Sequence, residues 1–482
     1  MKKIFALSVL VIVLAACGGN KDNRPMNEYL SAFLKDNKTV VTFGAIDVQT
    51  ILKKSDYSTI PKFGLLVKKE IEGLEGSINV NAPIYFALEG PFAEDGTPET
   101  TYAFMEVKSA DSLEANLVKR GFDIEKDGDE FYHASGDVAF GFRNNLLILI
   151  TKKGEFDGKK LAAEAFDKVG GDLSGGKVDQ ILSAKGDFIL GANIENLYGT
   201  SNTDLKDLSD EKQAALKKLV ADCYVQSTLK LESGQAVLET KNLFSAEMNK
   251  RMFFNSDSNA GVVSYLGTGN TRIGFATNFD VKKMQAFLDE FSPNTMNELA
   301  ESIGGPAQLA LMAGGEEALA GLFNGKIGVV MVGEPIAGGS MTPDLNFYVG
   351  VHKNGKSMAE NFKGFLDAGM AKVVLDDNGL AAYTSAKYVP VAGQKLSIPA
   401  GCEGFGKKGL TAFVNFDGLD MKQFSFEGEQ KLIYLIKYAT YEMDNSGSTL
   451  ILKAKDNNAN VMKQVVDVLV KELADKIKGM NI

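Results

Sequence analysis

The chain has no tryptophan, two histidines, three cysteines and 11 prolines in 482 residues. Each scarcity excludes something. His133 and His352 stand about 220 positions apart, and no Cys-x-x-Cys or His-x-x-x-His spacing occurs, so no metal site is expected. Beyond Cys17 only Cys223 and Cys402 remain, too few for a disulfide scaffold. Cys223 lies in an apolar run and Cys402 in a glycine-rich loop, which reads as two separate buried side chains, with a bridge as the alternative. Missing tryptophan removes the usual platform for stacking sugars, although 14 tyrosines remain. Basic residues are outnumbered, 52 against 62, a net charge of −10. That excludes nucleic acid as a partner and argues against docking on anionic headgroups by overall charge. Past the first 16 residues there is no long unbroken apolar run, so no membrane-crossing helix is expected there.

What is present begins at the N-terminus. Lys2 and Lys3 precede an apolar run, Ile4 to Val13, and then Leu14-Ala15-Ala16-Cys17. The run is too short to span a bilayer and reads as a signal segment over residues 1–16. The last four residues resemble the lipobox of bacterial lipoproteins. The resemblance implies cleavage before Cys17, lipid attachment to its thiol, and acylation of the new amino group; an ordinary secretory peptide is the alternative. Several acyl chains on one residue anchor stably, at roughly 0.8 kcal/mol per buried methylene. Gly18 stands where the inner-membrane retention signal of such proteins has aspartate. The analogy implies the outer membrane, on its periplasmic face or at the cell surface, and Lys21-Asp22 hints at the latter. Residues 17–26 are read as a polar, lipidated tether. Cleavage would remove two lysines and no acid, leaving 50 basic against 62 acidic residues, a balance of −12.

The remaining 466 residues are too many for one ordinary core. Internal repetition supplies the division. "EGPFAEDGTPETTYAFMEVKSADSLEANL" from Glu89 matches "EPIAGGSMTPDLNFYVGVHKNGKSMAENF" from Glu334 at an offset of 245. Thr97-Pro98 meets Thr342-Pro343, Tyr102 meets Phe347, Ser112 meets Ser357 and Asn116 meets Asn361. "EKDGDEFYHASG" has a partner in "LDDNGLAAYTSA", each with a tight-hairpin dipeptide, Asp127-Gly128 and Asn378-Gly379. "LKLESGQAVLETK" parallels "YEMDNSGSTLILKAK". Four strand-like runs end on an acid, Asp47, Glu195, Asp280 and Asp417, each read as a helix N-cap. After Asp280, the residues Val281, Met284, Phe287, Leu288 and Phe291 share one helical face. Two tandem homologous halves are therefore expected, 27–250 and 251–482, joined near Asn255 to Gly261. Each is read as α+β, mainly antiparallel sheet with amphipathic helices.

The opening "FLKDNKTVVTFGAIDVQTILKKS", Phe33 to Ser55, resembles the start of Bacteroidota lipoproteins grouped as domain of unknown function 4836. The strand ending Ile46-Asp47 and the helix through Leu52-Lys53-Lys54-Ser55 carry the likeness. It extends over the mature chain and implies a lipoprotein without bringing an activity.

Several short patterns invite a chemical reading. Gly350 to Ser357, "GVHKNGKS", satisfies the phosphate-loop pattern G-x-x-x-x-G-K-S. Such a loop needs a strand, a glycine-rich turn and a helix N-terminus. Leu345, Phe347, Val349 and Val351 do alternate along a strand, but Val351-His352-Lys353 reads as continuing strand. The corresponding "MEVKSADS", Met105 to Ser112, keeps strand, turn and helix while setting Glu106 and Asp111 where phosphate would lie. The pattern is read as fold, not nucleotide site. "GDLSGGKV", Gly171 to Val178, ends in valine where a magnesium-binding hydroxyl belongs. "DIEKDGDE", Asp123 to Glu130, starts like a calcium loop but has Ala134 at its twelfth place, where a bidentate glutamate is needed. His133 and Ser135 share a strand face and form no triad. Glu316-Glu317 and Asp376-Asp377 are adjacent pairs, read as turn and helix-start residues.

No catalytic residue and no cofactor are expected. The leading reading is a lipid-anchored cell-envelope protein of non-enzymatic binding or scaffold type, attached to a membrane through Cys17 and meeting an envelope protein or small ligand. The alternatives are a periplasmic carrier of lipid or another small apolar molecule, and a hydrolase whose residues converge only in the fold.

Overall fold

The structure is a computed structural model of the whole chain. It describes residues 24–35, 37–60, 63–74, 76–93, 95–128, 130–200, 208–255, 260–291, 321–333, 344–367, 369–418 and 428–479. Cys17, the signal segment and most of the tether lie outside these residues, as do Glu316-Glu317 and Thr342-Pro343. The chain is α+β, with 35% helix and 37% strand and mainly antiparallel sheet.

Two compact units divide it. The first opens with α1 (Met26–Lys35), β1 (Val40–Ile46), α2 (Val48–Ser55) and α3 (Phe63–Leu74). It continues with β2 (Ile84–Phe92), β3 (Pro98–Glu106), α4 (Ala110–Lys119), β4 (Glu125–Asp127), β5 (Glu130–Ser135), β6 (Val138–Arg143) and β7 (Leu146–Lys152). Then come α5 (Gly158–Val169), α6 (Gly176–Leu182), β8 (Phe188–Asn193) and α7 (Ile194–Thr200). The helix α8 (Asp210–Val220), which counts with the second unit up to Leu219, leads back to β9 (Tyr224–Glu232) of the first. The sheet order is β4-β5-β6-β7-β3-β2-β1-β8-β9, every pair antiparallel. Helices cover both of its faces. Phe33 of α1 meets Tyr102 and Phe104 on one side, with ring centroids 4.8 and 5.2 Å away. Ala103 and Met105 point the other way, into a cluster with Leu74 of α3 and Leu113 and Leu117 of α4. Double coverage explains why Leu146 to Ile150 is one continuous apolar run, with all five residues buried.

The second unit holds β10 (Gln235–Leu243), α9 (Ala246–Arg251), α10 (Ala260–Ser264), β11 (Gly269–Asn278), α11 (Val281–Phe291) and β12 (Phe323–Val332). It goes on through β13 (Asp344–Val351), α12 (Lys356–Leu366), β14 (Lys372–Leu375), β15 (Gly379–Tyr383) and the short β16 (Leu396–Ser397). It closes with β17 (Leu410–Asn415), β18 (Ile436–Asp444) and β19 (Gly447–Ala454). The order is β14-β15-β13-β12-β11-β17-β18-β19-β10, again antiparallel. A two-residue parallel pairing of β16 with β11 is the exception. From β1 outward the first unit reads β2, β3 and β7 on one side; from β11 the second reads β12, β13 and β15.

The units do not divide at residue 250. Residues 210–219 and 234–457 belong to the second unit, and residues from Asn458 onward belong to the first. The last helix, α13 (Val461–Gly479), packs against α2 and β9. Asn460 ties its start down: the side-chain amide donates to the Leu231 carbonyl at 3.0 Å, and its oxygen accepts from the Met462 amide at 2.9 Å. Sequence order alone misses this return, because a helix's apolar stripe does not name the surface it will cover.

The expected offset of 245 does not pair like elements of the two units. Tyr102 and Tyr348 are the buried aromatics of β3 and β13, and Ala110 and Lys356 start α4 and α12. Both pairs lie 246 apart, not 245. In β13 the core face is Asn346, Tyr348 and Gly350, while Leu345 is 37% exposed. Tyr348 stacks on Tyr265 at 4.4 Å between centroids, and Asn346 donates to the Leu266 carbonyl at 2.8 Å.

Two of the four acids cap helices as expected. Asp47 accepts from the Thr50 amide at 2.9 Å, and Asp280 from the Lys283 amide at 3.1 Å. Glu195 lies inside α7, whose cap is Asn193, accepting from the Asn196 amide at 3.1 Å. Asp417 is itself held by Asn415, which accepts the Asp417 amide at 3.0 Å. Asn193 thus does the work assigned to Glu195, whereas the segment that Asp417 is expected to cap lies outside the described residues. Cys223 and Cys402 are buried in different units and form no disulfide.

Candidate functional site

The first unit carries a groove of about 500 Å³ at the strand ends where β1 leaves and β8 enters the sheet. Its centre is Asp187, only 4% exposed. The Asp187 backbone joins three strands, accepting from the Asp47 amide at 2.9 Å and donating to the Leu229 carbonyl at 2.9 Å. The carboxylate takes the Lys54 ammonium on both oxygens, at 2.6 and 2.7 Å, and the Leu231 amide at 2.6 Å. Lys54 reaches it from α2, whose direction Asp47 sets by capping. A carboxylate removed from water needs such saturation, since an unpaired buried charge is strongly destabilising. Pro83, Leu182, Ala184 and Ile189 supply the apolar wall, and Lys185 and Lys230 the rim. Tyr85 also lines the groove, and burial raises its hydroxyl above the usual tyrosine range.

The second unit has no such pair at the corresponding places. Gly409 stands where Asp187 does, its carbonyl accepting the Asn278 amide at 2.7 Å. Counted from the capping acids, Phe287 of α11 holds the place of Lys54. The ion pair is therefore not something this arrangement of strands requires. Its partners lie 133 positions apart, and no spacing rule links them in sequence.

The phosphate-loop pattern resolves into a smaller cleft of about 280 Å³, lined by Val351, His352, Lys353, Lys356, Asp376 and Asp377. The strand stops at Val351 rather than continuing, and a single 3₁₀ turn, Lys353–Gly355, precedes α12. Several amides of the loop are committed: Val351 to the Asn378 carbonyl at 3.1 Å, His352 to Leu322 at 2.9 Å, and Gly355 to His352 at 2.9 Å. Lys356 is held by Asp377 at 2.6 Å, which keeps the Asp377 carboxyl below the usual range. The two glycines answer to packing. A Cβ on Gly350 would sit 2.0 Å from the Asn324 side-chain oxygen, and one on Gly355 would sit 2.9 Å from the Leu322 Cα. Asp376 builds the hairpin, accepting from the Asn378 and Gly379 amides at 2.8 and 3.0 Å.

The other sequence candidates are dispersed. "GDLSGGKV" opens the seven-residue α6, where Lys177 turns to the Asp222 carboxylate at 2.7 Å. His133 packs between Phe122 and Phe140, with Nδ1 2.6 Å from the Asp123 carbonyl oxygen. Asp123 to Glu130 forms the β4–β5 hairpin, with Gly128 at φ +63° and Lys126 on Glu114 at 2.8 Å. Among the described residues no cluster of three or more His, Cys, Asp or Glu is placed to hold a metal, and no helix is long and apolar enough to cross a membrane.

The end of the tether is also fixed. Arg24 Nη1 donates to the Val169 and Gly171 carbonyls, at 2.9 and 2.8 Å, at the close of α5. The described residues thus start inside the expected tether, two residues before α1.

No family model and no curated protein matches the sequence. Among solved structures the chain is similar to crystal forms III and I of TP0453, at 9% and 10% identity. These cover 48% and 47% of this chain and 85% and 80% of theirs, with TM-scores of 0.28 and 0.27, values that carry no argument about fold or function.

Proposed function

We propose that the protein is a lipid-anchored component of a bacterial cell envelope that binds a partner without chemical turnover, held at the outer membrane through acyl chains on Cys17. The observation that carries this is the N-terminal series Lys2-Lys3, Ile4 to Val13, Leu14-Ala15-Ala16-Cys17, followed within seven residues by an arginine docked on the first unit. The body is a tandem duplication, a reading supported by the matching strand orders around β1 and β11 and by the constant spacing of Tyr102–Tyr348 and Ala110–Lys356. After duplication the first copy alone carries the Lys54–Asp187 groove, which makes it the favoured place for a small ligand or a partner's side chain. No nucleotide, nucleic acid or cofactor enters this reading. The glycines and lysine of the phosphate-loop pattern already have packing and ion-pair roles, which favours fold over phosphate.

The test is metabolic labelling of the full-length protein with an alkyne fatty acid in a bacterial host. Label should appear in the membrane fraction and vanish in Cys17→Ser. Unlabelled wild-type protein released into the soluble fraction would overturn the reading.

A further inference from the structure

We infer that the edge of the first unit formed by Val169 to Ser174 faces the bilayer and sets Leu173 against its interface. The inference rests on lipidation at Cys17 and adds an orientation to it. Seven steps separate Cys17 from Arg24. Fully extended, they reach at most about 25 Å, at ~3.6 Å per residue. A unit of roughly 220 residues is on the order of 45 Å across. The acyl chains therefore cannot serve an orientation in which the far side of the unit meets the membrane. Arg24 is not loose within that reach, since two carbonyls, of Val169 and Gly171, hold its guanidinium.

The same edge is rigid and presents an apolar tip. Gly171 is pinned by Arg24 on one side of Leu173. On the other side Ser174 is pinned by α1, its amide donating to the Ser31 hydroxyl at 3.0 Å and its hydroxyl to the Ser31 carbonyl at 2.7 Å. Between these anchors Leu173 is 37% exposed. Local charge is close to balanced, which suits a zwitterionic surface: Lys35 meets Asp172 at 3.0 Å, Lys177 meets Asp222 at 2.7 Å, and Arg24 is turned to its two carbonyls. The occupant is thus a lipid surface, reached by the length of the chain that leads to it.

Because the chain has no tryptophan, Leu173→Trp creates a single fluorescent reporter. The acylated full-length variant would be reconstituted in phosphatidylcholine vesicles with bromine at acyl carbons 6 and 7. Lys160→Trp serves as the reference; Lys160 lies nine residues back along α5, about 14 Å from Val169. The expected result is at least twofold quenching at position 173 and little at 160. Equal quenching at both positions, or none at 173 in protein whose acylation is verified by mass, overturns the orientation while leaving the anchor intact. Absence of acylation instead refutes the anchor itself and the orientation with it.

Discussion

Replacing Asp187 by alanine should destabilise the first unit by about 3 kcal/mol. Two losses set the figure, and because both fall on one carboxylate they do not add in full. The Leu231 amide, bonded to the carboxylate at 2.6 Å, is left without its acceptor, which costs about 1–3 kcal/mol in a buried setting. Lys54 loses its counter-charge; breaking a buried pair costs about 3–5 kcal/mol, but Lys54 remains 29% exposed and can turn to water, so the lower end applies. For a unit of this size each kcal/mol lowers the melting temperature by roughly 2–4 °C, so a shift of about 6–12 °C is expected by calorimetry. The double variant Lys54→Met with Asp187→Leu removes both charges and should recover the charge part of the loss, while the Leu231 amide stays without its acceptor. Hydrogen exchange at β8 and β9 amides would localise the effect. An alanine variant within about 0.5 kcal/mol of wild type, or a double variant no better than the single, would refute the reasoning.

Gly355→Ala should cost about 1–3 kcal/mol, because its Cβ meets the Leu322 Cα, a backbone atom that cannot swing aside; urea denaturation reads this, and an unchanged midpoint would count against the packing role. Burial, reinforced by the Glu403 carboxylate, pushes the Cys402 thiol up to about 11 from its ordinary 9.0. Native protein at pH 8 should therefore resist thiol alkylation at this position until unfolded. The sign for stability follows: the raised pKa favours the folded state fully below pH 9, and that contribution fades as pH climbs from about 9 to about 11, which denaturation at stepped pH would reveal. Asn460→Ala removes both the bond to the Leu231 carbonyl and the bond to the Met462 amide, and should loosen α13 by about 1–2 kcal/mol, visible as faster exchange along that helix alone.

Local order was legible where it depended on local chemistry. The strand-and-cap unit at Asp47, the face of α11 from Val281 to Leu288, and the hairpin at Gly128 all came from nearest-neighbour patterns. Register was not. Along β13 both alternating sets look apolar enough, Leu345, Phe347 and Val349 against Tyr348 with two small or polar residues. A strand's period of two makes a one-residue misalignment exchange its faces. What decides between them is Tyr265, some 80 positions upstream, whose ring Tyr348 stacks upon. The Lys54–Asp187 groove was equally hidden, since "AKGDF" and "LKKSD" carry no signal until two distant segments meet. The cap at Asn193 was missed because Glu195 offered the same chemistry two residues away.

The placement of α13 on α2 has a consequence for biogenesis. A chain exported from its leading end would deliver residues 24–233 long before the segment beginning at Asn458 emerges to cover them. Until then the flank of α2 beside the Lys54 helix face waits uncovered, already moored close to lipid if Cys17 is acylated. Closing that seam spans more than 200 positions of sequence, a slow kind of contact to make, and any holdase chaperone along the route would meet the polypeptide in that interval.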